Sequence, residues 1–147
     1  MRIGDRAGVF TAFDVAASGL SAERDRMNII ASNLANARTT SGVDGGPYKR
    51  LDPVFEARSV DATSSDPVLG RLMQVRVSEV REDQQPGQLS YEPDHPDADA
   101  DGYVEYPNVN VVTEMVNLMT ASRAYEAGVA TIESVKAMAR SALKIGE

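Results

Sequence analysis

A chain of 147 residues has room for one domain of ordinary size and not for two. With no cysteine it holds no disulfide, no thiolate chemistry and no cysteine-ligated zinc. A formal charge of −7 argues against general nucleic-acid binding, which needs a basic surface.

The first predicted element lies in "FTAFDVAASGLSAERDRMNIIASNLANA". Phe13, Ala17, Leu20, Met27, Ala31 and Leu34 follow a three-four rhythm that only Arg24 interrupts. The narrower set Phe13, Leu20, Met27 and Leu34 reads as a heptad seam. The spacing predicts a helix from about residue 10 to 37, roughly 40 Å long, ended by "RTTSG". Gly19 weakens it by about 1 kcal/mol unless a close neighbour needs the missing side chain. A second stripe of Ser18, Ser21, Asp25, Asn28, Ser32 and Asn36 has two readings. It is an ordinary polar face, or a face where neighbouring chains approach closely and share hydrogen bonds.

Residues 38 to 108 read as strand and loop. "LMQVRVSEV" alternates Met73, Val75 and Val77 with Gln74, Arg76 and Ser78, which is strand period. "QLSY" and "GYVEY" are shorter strand candidates, and "SVDATSSDP" reads as a mobile loop. This segment holds seven basic and fourteen acidic residues, so the whole charge imbalance lies in it; the flanking segments are each neutral. Two kinds of surface follow from that distribution.

The last element is the most regular. Val111, Met115, Leu118, Ser122, Tyr125, Val129, Ile132, Lys136, Ala139 and Leu143 keep the helical rhythm without a slip, and Val112, Val116 and Met119 widen the stripe at its start. Asn110 is the expected N-cap, with Glu114 near the positive end of the helix and Lys144 near the negative end. A helix of roughly 50 Å suits a bundle or coiled-coil assembly better than a compact enzyme. Its seam residues, Tyr125 and the methionines among them, are expected in a core.

Asp97, Asp99 and Asp101 alternate before Gly102 as a calcium loop would begin. The twelfth position of such a loop is Asn108, which offers no bidentate carboxylate, and Pro93, Pro96 and Pro107 oppose flanking helices. His95, the sole histidine, has no cysteine or second histidine with which to hold zinc. No phosphate-binding glycine loop or nucleophile elbow is present. The sequence therefore carries no catalytic, cofactor-binding or metal-binding set, and calcium binding through the three aspartates is the remaining chemical alternative.

"SGLSAERDRMNIIASNLANARTT", residues 18–40, resembles the N-terminal signature of bacterial flagellar rod, hook and related axial proteins. It does so at Gly19-Leu20, Arg26-Met27-Asn28, Ser32-Asn33, Ala35-Asn36 and Thr39-Thr40. "GGPYKR" at 45–50, "HPDADADGYVEYPNVN" at 95–110 and "EMVNLMTASRAYEAGV" at 114–129 are similar to the short proximal rod members in particular; another short axial protein of the family is the near alternative. One departure is Gly128, where the family usually has Asn, at a cost to the helix of about 1 kcal/mol.

The resemblance implies a non-enzymatic structural subunit of the basal-body rod that serves motility. It implies export without a cleaved signal through the flagellar type III apparatus, a location in the periplasm, no cofactor, and no nucleic-acid or membrane-spanning partner. The partners it implies are copies of the chain and other proximal and distal rod proteins. The expected fold is mainly α with a small β middle. Residues 1–37 and 108–147 form a discontinuous helical assembly domain whose long helices pair as an antiparallel coiled coil or bundle around the export channel. Residues 38–107 form an acidic, β-hairpin-rich segment further out. The assembly interface is expected at Phe13, Leu20, Met27, Leu34, Val111, Met115, Leu118, Tyr125, Val129 and Ile132.

Overall fold

A computed structural model describes residues 3–42, 45–60 and 72–145. Two long helices flank four strands: α1 (Ile3–Ala35), β1 (Leu51–Ser59), β2 (Met73–Glu82), β3 (Gln88–Tyr91), β4 (Tyr103–Tyr106) and α2 (Val111–Ile145). The fold is thus helical at both ends with a small β middle, as the periodicities predict. Among the described residues no helix is long and apolar enough to cross a membrane.

Helix α1 starts seven residues before the predicted Phe10, and its end is capped by its own sequence. The Asn36 amide donates to the Ser32 carbonyl at 2.9 Å beside the Asn36 backbone N–H, which donates to the same oxygen at 3.0 Å. Residues that bond their own backbone favour helix ends in this way. Helix α2 opens on the predicted cap: the Asn110 side-chain oxygen accepts from the Thr113 N–H at 3.0 Å, and its carbonyl accepts from the Glu114 N–H at 2.9 Å.

Strand β1 is not among the expected strands. Its sequence, "LDPVFEARS", has no period of two and carries Pro53, which lowers strand propensity. It forms because β2 supplies a partner, giving a two-stranded sheet. The Val60 N–H donates to the Leu72 carbonyl at one end, and the Asp83 N–H to the Arg50 carbonyl at the other. Strands β3 and β4 form a second, antiparallel pair with Gln88 opposite Tyr106 and Tyr91 opposite Tyr103. The loop expected at "SVDATSSDP" lies, from Asp61 onward, outside the described residues.

The chain divides into two compact units. The first comprises Met1–Asp25, Phe55–Ser78 and Ala121–Glu147. In it, Ala22 and Ala121 are buried. The Ser18 hydroxyl ties β2 to α1, donating to the Val15 carbonyl at 2.7 Å and accepting the Val75 N–H at 3.1 Å. Gly128 meets the side chain of Leu20: a Cβ there would lie 2.7 Å from the Leu20 Cδ2. The glycine that costs helix propensity thus provides a notch for a leucine of the other helix. Gly19 has no such neighbour within 4 Å among the described residues.

The second unit comprises Arg26–Val54 and Glu79–Thr120. Ile30, Val104 and Val109 are its buried apolar residues. Alongside them are two buried polar side chains, Asn33 and Glu114, each 1% exposed.

Candidate assembly surface

Asn33 is the best-connected side chain of the second unit. Its amide nitrogen donates to the Leu51 carbonyl at 2.9 Å and to Glu114 Oε2 at 3.2 Å. Its oxygen accepts from the Leu51 N–H at 2.9 Å and from the Tyr48 hydroxyl at 2.8 Å. An amide side chain has two donor hydrogens and two acceptor lone pairs, so this set is complete. Asn33 presents a peptide-like edge to the first residue of β1, and the strand starts there because the helix supplies that edge.

Glu114 completes the cluster. Its second oxygen accepts from Arg50 Nε at 2.9 Å, and Arg50 Nη1 reaches Asp52 at 2.6 Å. Burial on its own would lower the Arg50 pKa. Hydrogen bonding to Glu114 and the nearby charges of Asp52 and Glu114 outweigh that and hold it above its ordinary value. Placing Glu114 merely near a helix dipole understated its part. A carboxylate out of water is tolerated only when it is paired and hydrogen-bonded, and here both oxygens are. Arg50 also lies 3.8 Å from Asp83, whose pKa is lowered, first by the Gln85 backbone N–H, then by Asn108, with a smaller part from Arg50.

The aspartate-rich loop belongs to the same unit, and its carboxylates serve its own turns. Asp99 Oδ1 accepts from the N–H groups of Asp101 and Tyr103 at 2.9 and 2.8 Å, and Asp97 Oδ2 accepts from the Thr40 hydroxyl at 2.7 Å. His95 Nδ1 accepts from the Asp97 N–H, and its ring lies edge-on to Tyr106. Gly102 is required where it stands: its φ is +82°, and a Cβ would lie 2.9 Å from the Tyr91 ring. Among the described residues no group of three or more His, Cys, Asp or Glu is placed to hold a metal.

The outer side of α2 has the opposite character. Next to buried Glu114, Met115 is 53% exposed and Val112 is 72% exposed; Val111, Val116, Met119, Val129 and Met138 are exposed too. Of the ten expected interface residues, Val111, Met115 and Val129 are open to solvent, whereas Phe13, Leu20, Met27, Leu34, Leu118, Tyr125 and Ile132 are half-buried. The expectation that the seam methionines form a core fails for Met115, Met119 and Met138, which are exposed because no element among the described residues covers them. The polar stripe of α1 divides as well. Ser18, Ser32 and Asn36 bond within the chain, and Ser21 and Asn28 are exposed.

Two long helices, a small β middle and an exposed apolar stretch at the start of α2 are the features of an assembling structural protein. Sequence comparison identifies which class. Residues 13–42 match the model of the flagella basal body rod protein family, and residues 100–145 match that of the flagellar basal body rod FlgEFG protein C-terminal region. The chain is 47% identical to the flagellar basal-body rod protein FlgC of Salmonella typhimurium over 92% of its own length and 96% of that protein's. It is 43% identical to that of Borreliella burgdorferi (94% and 97%) and 38% identical to that of Bacillus subtilis (94% and 98%). The chain belongs to the FlgC family of flagellar basal-body rod proteins, and is a structural subunit of the rod with no enzymatic role.

Sequence periodicity alone missed β1 and the Asn33–Glu114–Arg50–Tyr48 cluster. The signal was present: all four residues fall inside the stretches that carry the family resemblance. A single asparagine between Ile30 and Leu34 on an apolar turn is the kind of residue to ask about.

Proposed function

We propose that the chain builds the proximal part of the rod, folding as it assembles. It reaches that place unfolded, through the flagellar type III export apparatus and without a cleaved signal, and there crosses the periplasm together with proximal and distal rod proteins and other copies of itself. In this reading residues 1–37 and 108–147 are the assembly domain. Their helices pair as an antiparallel coiled coil and surround the export channel, and residues 38–107 face outward.

The observation that carries the reading is the exposed apolar face of α2. Leaving it in water forgoes ~25 cal/mol for each Å² that a neighbour would cover. Support for pairing of the two helices comes from each unit by itself: Leu20 meets Gly128 in one, and Asn33 meets Glu114 in the other. Head-to-tail contacts that do not close on themselves then propagate as a helical filament. The ten expected interface residues are the ones the assembly covers.

Two measurements test this. Deletion of the gene is expected to leave basal bodies that stop before the distal rod; complete rods in the deletion strain sink the proposal. Circular dichroism of the isolated protein is expected to show less helix than the 33 residues of α1 and 35 of α2, because ends that lack neighbours do not bury enough to stay ordered. A fully helical, cooperative monomer excludes folding on assembly.

A further inference from the structure

We propose that the outward face of the β3–β4 hairpin docks a basic segment of another basal-body protein. An arginine or lysine of that segment lies on the rings of Tyr91 and Tyr103, with its charge toward the hairpin's carboxylates.

The pleat of the hairpin separates two faces, because side chains alternate across a strand. Ser90, Val104 and Tyr106 take the inner face, where Val104 is 1% exposed. Leu89, Tyr91, Tyr103 and Glu105 share the other, where Leu89 is 69% and Tyr91 64% exposed. The two tyrosine rings meet edge to face with centroids 5.3 Å apart, and Gly102, which has no side chain, leaves room for Tyr91 and Pro93 beside it. Large apolar groups gathered on one exposed face and rimmed by polar ones mark a contact surface. Tyrosine is among the residues that anchor such surfaces.

Charge selects the occupant. Residues 92–105 hold six carboxylates and no lysine or arginine. Three are used inside the unit. Glu92 accepts from the Ser90 and Tyr106 hydroxyls, Asp97 from the Thr40 hydroxyl, and Asp99 from two backbone N–H groups. The other three have capacity left. Asp94 and Asp101, in the loop that joins the strands, have no side-chain partner among the described residues. Glu105, on the face of the rings, gives one oxygen to the Gly87 N–H and keeps the other free. Ring faces and unused carboxylates both attract a cation, and a guanidinium or ammonium on an apolar stem meets both. The same face of a second copy would set like charges together, and the helical ends of a second copy carry no net charge. The occupant is therefore a different protein with a basic surface.

The test places p-benzoylphenylalanine at position 89, or in a second strain at 91, in the only copy of the chain. Cells are irradiated and basal bodies purified. The expected product is a crosslink to a different protein, at a segment that mass spectrometry shows to carry lysine or arginine beside the joined residue. Asp94→Lys with Asp101→Lys is expected to cut the yield from position 89 about tenfold, while the chain still enters basal bodies. Glutamate in place of the crosslinked protein's cation restores it. Tyr91→Ala lowers the yield from position 89 as well, and Tyr91→Phe, which keeps the ring face, does not. A crosslink to a second copy, to a segment without lysine or arginine, or to a glycan that muramidase releases overturns the proposal. So does a yield that the two aspartate changes leave unaltered, or no crosslink from either position in basal bodies that contain the chain.

Discussion

Glu114 and Met115 are neighbours on one helix, and the structure places them the wrong way round for a self-sufficient protein. The carboxylate is 1% exposed and the thioether residue is 53% exposed. The inner side of the first α2 turns is polar and saturated: Glu114 has Asn33 on one oxygen and Arg50 on the other. The outer side is apolar and bare. A buried charge is kept where every bond it needs comes from the same chain. A bare apolar stripe is kept where its cover comes from another. The inner side fixes the subunit, and in the proposed reading the outer side serves the rod.

The largest expected effect comes from breaking the inner side. Asn33→Leu removes four hydrogen bonds and strands the Leu51 backbone, the Tyr48 hydroxyl and one Glu114 oxygen, for a loss of about 3–5 kcal/mol. Urea unfolding followed by tyrosine fluorescence reads it, since four of the five tyrosines lie in the second unit. Glu114→Gln keeps the shape and weakens only the link to Arg50, so about 1–3 kcal/mol is expected by the same measurement.

Met115→Asp sharpens the contrast from the other side. Stability of the isolated chain is expected to change by no more than about 0.5 kcal/mol, while swimming and recovery with basal bodies drop sharply. Equal damage to stability and assembly would show that Met115 supports the subunit itself.

The smallest effect is electrostatic. Asp83 titrates below the ordinary carboxylate range because the Gln85 N–H, Asn108 and, less, Arg50 favour its charged form. Its folded pKa lies under its unfolded one, so its contribution is present above the unfolded value and is lost as pH falls through the folded value. Acid unfolding monitored by tyrosine fluorescence is expected to lose that part of its pH dependence in Asp83→Asn.

Much of this was legible in the order of residues. The rhythm of Val111 to Leu143 gave α2, Asn110 gave its cap, and the count from Asp97 to Asn108 disposed of most of the calcium reading. Strand β1 was not legible, because "LDPVFEARS" has no strand period and Pro53 opposes one. It exists through the Asn33 edge and the β2 partner, both distant in sequence. Gly128 likewise read as a loss until Leu20 was found against it.

The sequence by itself determined the helices, the neutral ends, the acidic middle and the family, since periodicity and charge are properties of the chain's order. Only the tertiary structure decided which polar groups go inside and which apolar ones stay out. Burial of Glu114 depends on Arg50 and Asn33 arriving from separate elements, and Met115 stays exposed because nothing among the described residues arrives to cover it. Both are decided by contacts between residues far apart in sequence, and no local pattern records them.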